Sequence, residues 1–284
     1  MKNYESSPEA THRIIQLYAV RKGFNMTVRD VYDYLNGIAP FNTQDKFDNS
    51  GLLTGSFNKE VNKIAVCLDI TNDIVDECAK LGTDLIVSHH PVIFNKLSCV
   101  AENTPVYNLV RNDISAICLH TPIDMAKGGI SDLMYELMGF GNPYGAEVLH
   151  IIHNDKNLGY GKIASLEFGI SAQYLAETAK DAFNCTSVKF VDGGKTINTV
   201  ALCSGAGSDE IYTAIEKGVD AIITGDVKWH AFVDAKNAGL TVVDAGHYHT
   251  ENIICGHLLN LLTETFPDAQ VFIPLNNDDV CQYI

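Results

Sequence analysis

No Cys-x-x-Cys pair occurs among the eight cysteines of this 284-residue chain. Several cysteines sit inside apolar runs, such as Val66-Cys67-Leu68 and Ile117-Cys118-Leu119. The pattern argues against a disulfide framework and a Cys-rich zinc site; the expectation is reduced core thiols in a cytoplasmic protein. No apolar run reaches the length of a membrane-spanning helix, so no membrane partner is expected. Basic residues are scarce, with Lys plus Arg at 20 against 35 Asp plus Glu and a formal charge of −15. A nucleic-acid groove would need clustered Lys and Arg, so nucleic acid is not an expected partner either. An anionic substrate would gain no long-range attraction and would have to be held locally, by metal ions or backbone N–H groups. Residues 1–25 lack the continuous apolar centre of a signal peptide, and Glu5 and Glu9 fit a transit peptide poorly. They read as an N-terminal extension, with Met26 a candidate working start.

What is present is an alternation of short apolar runs and amphipathic stretches. A helix is expected after Met26, carried by Val28, Val31, Tyr32 and Leu35. Strands are expected over 63–69, 84–88 and 114–119, with helices over 72–81 and 104–111 between them and another over 130–140. The strands are nearly continuous apolar runs, the mark of a parallel sheet covered on both faces. The stretch 141–161 is weakly periodic and reads as the junction between two lobes. The rhythm then resumes, with strands expected over 162–168, 187–191, 200–204, 221–224, 241–244 and 270–273. Helices are expected over 172–183, from Asp209, over 228–238, and from Ile253 to just before Pro267. The fold class is therefore α/β with mostly parallel sheets. The domain reading is a first lobe of 26–140 plus about 241–284 and a second of about 141–240.

Two segments carry chemistry. Ser88-His89-His90-Pro91 follows the run Asp84-Leu85-Ile86-Val87, and Gly246-His247-Tyr248-His249-Thr250-Glu251 precedes a helical stretch. The i, i+4 spacing puts His247 and Glu251 on one helical face. Ligands in open parallel sheets bind outside the carboxyl ends of strands. His89 and His90 lie at one such end, Asp124 beyond another and His247 after a third. Imidazole and carboxylate are the donors that Zn, Mn or Fe take up, and five of them suit two divalent ions better than one. Glu251 is the natural bridge, one helical turn beyond His247. His120 and His249 are candidates for donating to the ligands or shuttling protons, set against the plainer reading of packed or solvated histidines. Asp69 either orients a histidine or caps the following helix. Gly205-Ala206-Gly207-Ser208 reads as an ordinary strand-to-helix turn more readily than as a phosphate cradle, because it lacks the Gly-x-x-x-x-Gly-Lys pattern. His12, His150, His153 and His257 read as bystanders, and His230 has no decisive partner in sequence.

The chain resembles the GTP cyclohydrolase 1 type 2 homologue family, the Nif-three-like proteins. The resemblance rests on Asp48-Asn49-Ser50-Gly51-Leu52-Leu53, Ser88-His89-His90-Pro91, His120-Thr121-Pro122-Ile123-Asp124 and Gly246-His247-Tyr248-His249-Thr250-Glu251, with Thr224-Gly225-Asp226 in support. It covers about residues 26–284. It implies two α/β lobes with a dinuclear metal site in the cleft between them, and a homohexamer. It also implies that His90 and Asp124 hold one metal and His89 and His247 the other, with Glu251 on both. Pro122 stands where Asn is usual, Asp226 where Glu is usual and His249 where a small residue is usual. These departures bear on the ligands' surroundings and on substrate preference.

The activity implied by the resemblance is metal-dependent hydrolysis of a purine nucleotide such as GTP, with attack of water at C8, ring opening and loss of formate. Hydrolysis of a phosphoester or another nucleotide at the same site is the alternative within enzymes. A non-catalytic metal-binding scaffold or interaction protein is the alternative outside them.

Overall fold

The computed structural model describes residues 25–154 and 157–284. The extension assigned to residues 1–25 lies, except for Asn25, outside the described residues, as does His12. Helix α1 (Val28–Ile38) starts where the Asp30 carboxylate accepts bonds from the Thr27 N–H and hydroxyl, and it buries Val28, Val31, Tyr34 and Leu35 along one face. Strands β1 (Gly51–Thr54) and β2 (Lys63–Cys67) follow. Helix α2 (Asn72–Leu81) is capped by Thr71, whose hydroxyl accepts from Ile74 N–H, and stops at Gly82 with φ 68°. Next come β3 (Leu85–Ser88), α3 (Pro105–Arg111), β4 (Ser115–Cys118), the single turn α4 (Thr121–Met125) and α5 (Ile130–Leu137).

The chain continues through β5 (Glu147–His153), β6 (Leu158–Ile170), α6 (Ala172–Ala182), β7 (Lys189–Val191) and β8 (Ile197–Leu202). It then runs through α7 (Glu210–Lys217), β9 (Ala221–Thr224), α8 (Trp229–Ala238), β10 (Thr241–Asp244) and the short α9 (His247–Glu251). Helix α10 (Ile253–Thr265) and β11 (Gln270–Phe272) complete the order.

Among the described residues the chain forms two compact units, one of 25–122 with 255–278 and one within 123–254 with 279–284. The sequence put the boundaries near 140 and 240. They fall earlier on the first pass and later on the second because α5 packs on β6 and β8, and because β10 pairs with β9. The stretch 141–161, expected as the junction, instead holds β5 and the start of β6.

In the first unit the sheet order is β1-β4-β3-β2-β11. β4, β3, β2 and β11 are parallel, and β1 runs antiparallel along the β4 edge. Ala65, Cys67, Ile74, Cys78, Ile86, Leu109 and Ala116 form its core. Full burial of a side chain such as Ile86 contributes roughly 1.5–3 kcal/mol. In the second unit the order is β5-β6-β8-β9-β10-β7. It is parallel only across β8, β9 and β10; the β5–β6 hairpin and the β7 edge are antiparallel. Ala201, Ile211, Ile222, Ala231, Ala235 and Val242 lie in its core.

Both units contain the same local brace. Asp84 accepts from Asn62 and Lys63 N–H (2.8 and 3.0 Å), and Asp220 accepts from Asn198 and Thr199 N–H (2.9 and 3.0 Å). In each case the acid precedes a strand, stands two residues after a left-handed glycine (Gly82, Gly218) and fixes the start of the adjacent strand. The similar strand-helix rhythm of the two halves thus has a shared hydrogen-bonding basis.

All eight cysteines are free thiols, and six are buried. Burial pushes Cys67 and Cys203 well above the ordinary value of 9.0, Cys78 and Cys185 to about 11 and Cys255 to about 12. Among the described residues no helix is long and apolar enough to cross a membrane.

Candidate metal centre

Each unit presents a donor set at the carboxyl ends of its parallel strands. In the first unit His89 and His90 directly follow β3. Their backbone is pinned by continued strand pairing, since His89 N–H donates to Cys67 O and His90 N–H to Leu68 O. His89 is completely buried, and its Nδ1 lies 2.9 Å from Leu119 O. His90 Nδ1 lies 2.8 Å from Asp69 Oδ1, and His120 Nδ1 lies 2.9 Å from Asp48 Oδ1. One ligand atom from each of His89, His90 and His120 falls within 4.8 Å of the others. An Nδ1–H donated to a carbonyl or carboxylate leaves Nε2 as the basic nitrogen, the tautomer a metal needs.

Asp48 is the anchor of this set. Its side chain is fully enclosed and accepts from His120, from Thr121 N–H and Oγ1, and from Ser50 Oγ. Burial alone would raise its carboxyl, but the His120, Thr121 and Ser50 hydrogen bonds and the His120 charge outweigh that and hold it at about 2. Beyond β4 and His120 the chain enters the helical turn α4 at Thr121, which Asp48 ties down at its start.

In the second unit His247 opens α9 after Gly246 at φ 83°, and Glu251 ends it. The predicted i, i+4 pair is in contact, with His247 Nε2 at 2.8 Å from Glu251 Oε2. His247 Nδ1 lies 2.8 Å from Asp226 Oδ2. A neutral imidazole has one N–H and cannot donate to both carboxylates; an imidazolium would donate to both, and a cation beside Nε2 and Oε2 would satisfy these two ligand atoms with Nδ1–H kept on Asp226. Asp124 is buried in α4, with Oδ1 3.4 Å from Ser204 Oγ and its carbonyl accepting from Ser131 Oγ. Oxygens of Asp124 and Glu251 lie within 4.8 Å of each other.

The glycine-rich turn Gly205–Ser208 makes room for these ligands. A Cβ on Gly205 would stand 2.0 Å from Glu251 Oε1 and 3.4 Å from His247 Nε2, and one on Gly225 would stand 2.6 Å from the His247 backbone nitrogen. Gly205 N–H donates to Thr250 Oγ1 and Gly207 N–H to Gly205 O, which leaves neither for a phosphate.

His249 is placed differently from the other candidates. Its ring contacts Tyr248 and Tyr283, and its Nε2 lies 3.7 Å from Asp279 Oδ2, on the side of the C-terminal segment. His150 pairs with Glu210 at 2.8 Å, as a bystander would. Of the two roles weighed for Asp69, the structure favours orienting His90, since Thr71 supplies the helix cap. The roles of Asp48 and Asp226 were not assigned from sequence. One signal was there: Asp69 to His90 and Asp226 to His247 share a spacing of 21 residues.

The donor types fit a divalent ion: imidazole nitrogens with fixed tautomers in one unit, two carboxylates and an imidazole in the other. Histidine and carboxylate groups able to bind metal are therefore present in this chain.

The chain is 31% identical over 231 residues to a Clostridium perfringens protein named GTP cyclohydrolase 1 type 2 homolog, covering 80% of this chain and 87% of that one. A solved structure of a Staphylococcus aureus hypothetical protein superposes with a TM-score of 0.82 at 26% identity, covering 92% of this chain and all of the other. A Bacillus cereus protein related to NIF3 has the same fold, with a TM-score of 0.82 at 22% identity, again over 92% of this chain and all of that one. The model of the Duf34/NIF3 (NGG1p interacting factor 3) family matches residues 26–279. A match over that length, with these donors at its strand ends, makes the chain a member of the Duf34/NIF3 family.

Proposed function

We propose that the two donor sets serve one pair of divalent ions and that the protein is a metal-dependent hydrolase of purine nucleotides. In this reading His90 and Asp124 hold one ion, His89 and His247 the other, and Glu251 both. The observation that carries it is the bracing of the imidazoles: His90, His120 and His247 each rest Nδ1 on a carboxylate, and His89 rests Nδ1 on a carbonyl. Such bracing orients metal-binding imidazoles and raises their basicity. Charge supports it too, because Asp48, Asp69, Asp124, Asp226 and Glu251 would offset two divalent ions.

Ions held there would polarise a substrate oxygen and lower the pKa of water toward neutrality. His120, gripped by Asp48, is the imidazole assigned to hold or pass a proton; His249, turned to Asp279 and Tyr283, has no part in this reading. GTP is the substrate proposed for testing, by way of the relatives' name. The chain is further proposed to assemble as a homohexamer in the cytoplasm, which light scattering on the purified protein checks: a monomer mass at micromolar concentration would remove that element.

The deciding experiment reconstitutes the protein with Zn, Mn or Fe, measures bound metal, and assays formate release from GTP beside phosphate release from nucleotides and simple phosphoesters. Near two equivalents of metal and metal-dependent formate release are expected, with the rate rising through neutral pH. Phosphate release alone would redirect the reading to phosphoester hydrolysis. Fully loaded protein that is silent across the panel would make it a metal-binding scaffold.

A further inference from the structure

Beside the imidazole cluster of the first unit stands a pair of phenylalanines that the metal reading leaves unused. Phe47 and Phe94 are 56% and 47% exposed, yet neither sits on a loose segment. Phe47 directly precedes Asp48, whose enclosed side chain grips His120, Thr121 and Ser50. Phe94 directly follows Ile93, whose carbonyl accepts a 2.6 Å hydrogen bond from Asn49 Nδ2. Each ring is therefore one residue away from an anchored neighbour, and Asn49 ties the two segments together. The ring centroids are 6.3 Å apart. Phe94 meets the His120 imidazole edge-on at 6.1 Å with planes at 80°, and His120 lies 5.3 and 5.7 Å from the rings of His89 and His90. A continuous row of rings thus runs from exposed Phe47 through Phe94 and His120 to the buried imidazole of His89. Large apolar side chains left without cover beside anchored backbone, and next to a donor cluster, mark a binding surface.

We propose that Phe47 and Phe94 form a subsite that seats a planar purine ring of the substrate beside His120. The inference rests on the proposed nucleotide hydrolysis and adds to it the residues that recognise the base. Phenyl faces stack on any base without hydrogen-bond readout, so the subsite selects for a planar ring. A ring lying against Phe94 would sit beside His120, next to the imidazole cluster. Leu97 and Val100, further along the same segment, are also exposed. Burial of the whole segment against another protein is the competing account, and it predicts that loss of the Phe94 ring leaves purine binding untouched.

The test is calorimetric titration of the full-length, metal-reconstituted protein with guanosine 5′-monophosphate and with ribose 5-phosphate. Stacking predicts that the purine nucleotide binds at least about 5-fold more tightly. Phe94→Ala, and more fully the Phe47→Ala/Phe94→Ala pair, should bring it down to the ribose 5-phosphate affinity with metal content retained, while Phe94→Tyr keeps the preference. Equal affinities in the unaltered protein, no binding of the purine nucleotide, or a preference that survives the double variant would each overturn the subsite. Purine preference without any turnover would instead sink the hydrolase reading and leave the subsite standing; turnover without base preference would do the reverse.

Discussion

Gly205 and Glu251 are packed so closely that a single methyl group on the glycine would stand 2.0 Å from the carboxylate Oε1. Gly205 also has φ +61°, in the region that favours glycine. The position of a candidate ligand is thus set partly by the absence of a side chain on a distant turn, and two separate constraints demand the glycine.

Gly205→Ala should therefore displace Glu251. The expected result is bound metal falling from near two equivalents toward one or none. A drop in stability on the order of 1 kcal/mol should accompany it, from the left-handed backbone. Elemental analysis and thermal unfolding on the same preparation check it; unchanged metal content would show that Glu251 can move aside without consequence.

The bridging role predicts an asymmetry. Glu251→Gln should weaken both metals, since a neutral amide is a poor bridge between cations, whereas Asp124→Asn should mainly weaken one. Competitive metal titration resolves the two sites. Equal single-site losses in both variants would remove the bridge.

The bracing carboxylates give a finer test. Asp69→Asn and Asp226→Asn should each reduce metal affinity about 10–100-fold while leaving the fold intact, because each replaces the acceptor-only carboxylate on Nδ1 by a neutral amide that can also turn its NH2 to the ring and so no longer fixes the tautomer. His249→Ala should leave metal affinity within about 2-fold, because its contacts are Asp279, Tyr248 and Tyr283 and an orienting partner would cost far more. Comparable losses at His249 would return it to the metal surroundings.

Asp220 carries a pH prediction. Its partial burial would raise the carboxyl, but Asn198 N–H, Lys195 and Thr199 together hold it below 3.8. A carboxyl depressed in the folded state stabilises fully above the unfolded value and loses that contribution as pH falls below about 4. Asp220→Asn should accordingly lower the melting temperature at pH 7, and the gap to the unaltered protein should narrow between pH 4 and pH 3. A gap that stays constant with pH would show that the brace acts without its charge.

The parts of the fold that were legible in sequence are those specified locally. Helix α2 matches the expected 72–81 because Thr71 and Gly82 mark its two ends, and β9 and β10 match because each is a short run with an apolar centre, buried at every position where the two strands pair in parallel. Strands β1 and β5 were missed because both are edge strands with few buried residues, defined by their neighbours' hydrogen bonds more than by their own pattern. The division of the chain was misplaced for a related reason: nothing local in α5 or β10 says which sheet each will join. The strand-end positions of the candidate donors were legible, since adjacency to a strand end is a property of the sequence. Their braces were not, because pairing Asp48 with His120 or Asp226 with His247 depends on which strands become neighbours. Phe47 and Phe94 likewise showed no signal until their loops were tied together by Asn49.

The buried thiols make the chain its own reporter of unfolding. Only Cys99 and Cys281 are exposed, and the thiolate is the reactive form toward alkylating reagents. In the folded protein at neutral pH, iodoacetamide should add two labels quickly and the other six only through opening of the structure. Intact-mass counting over time would then report global and local opening at native conditions, with no spectroscopic label and no denaturant.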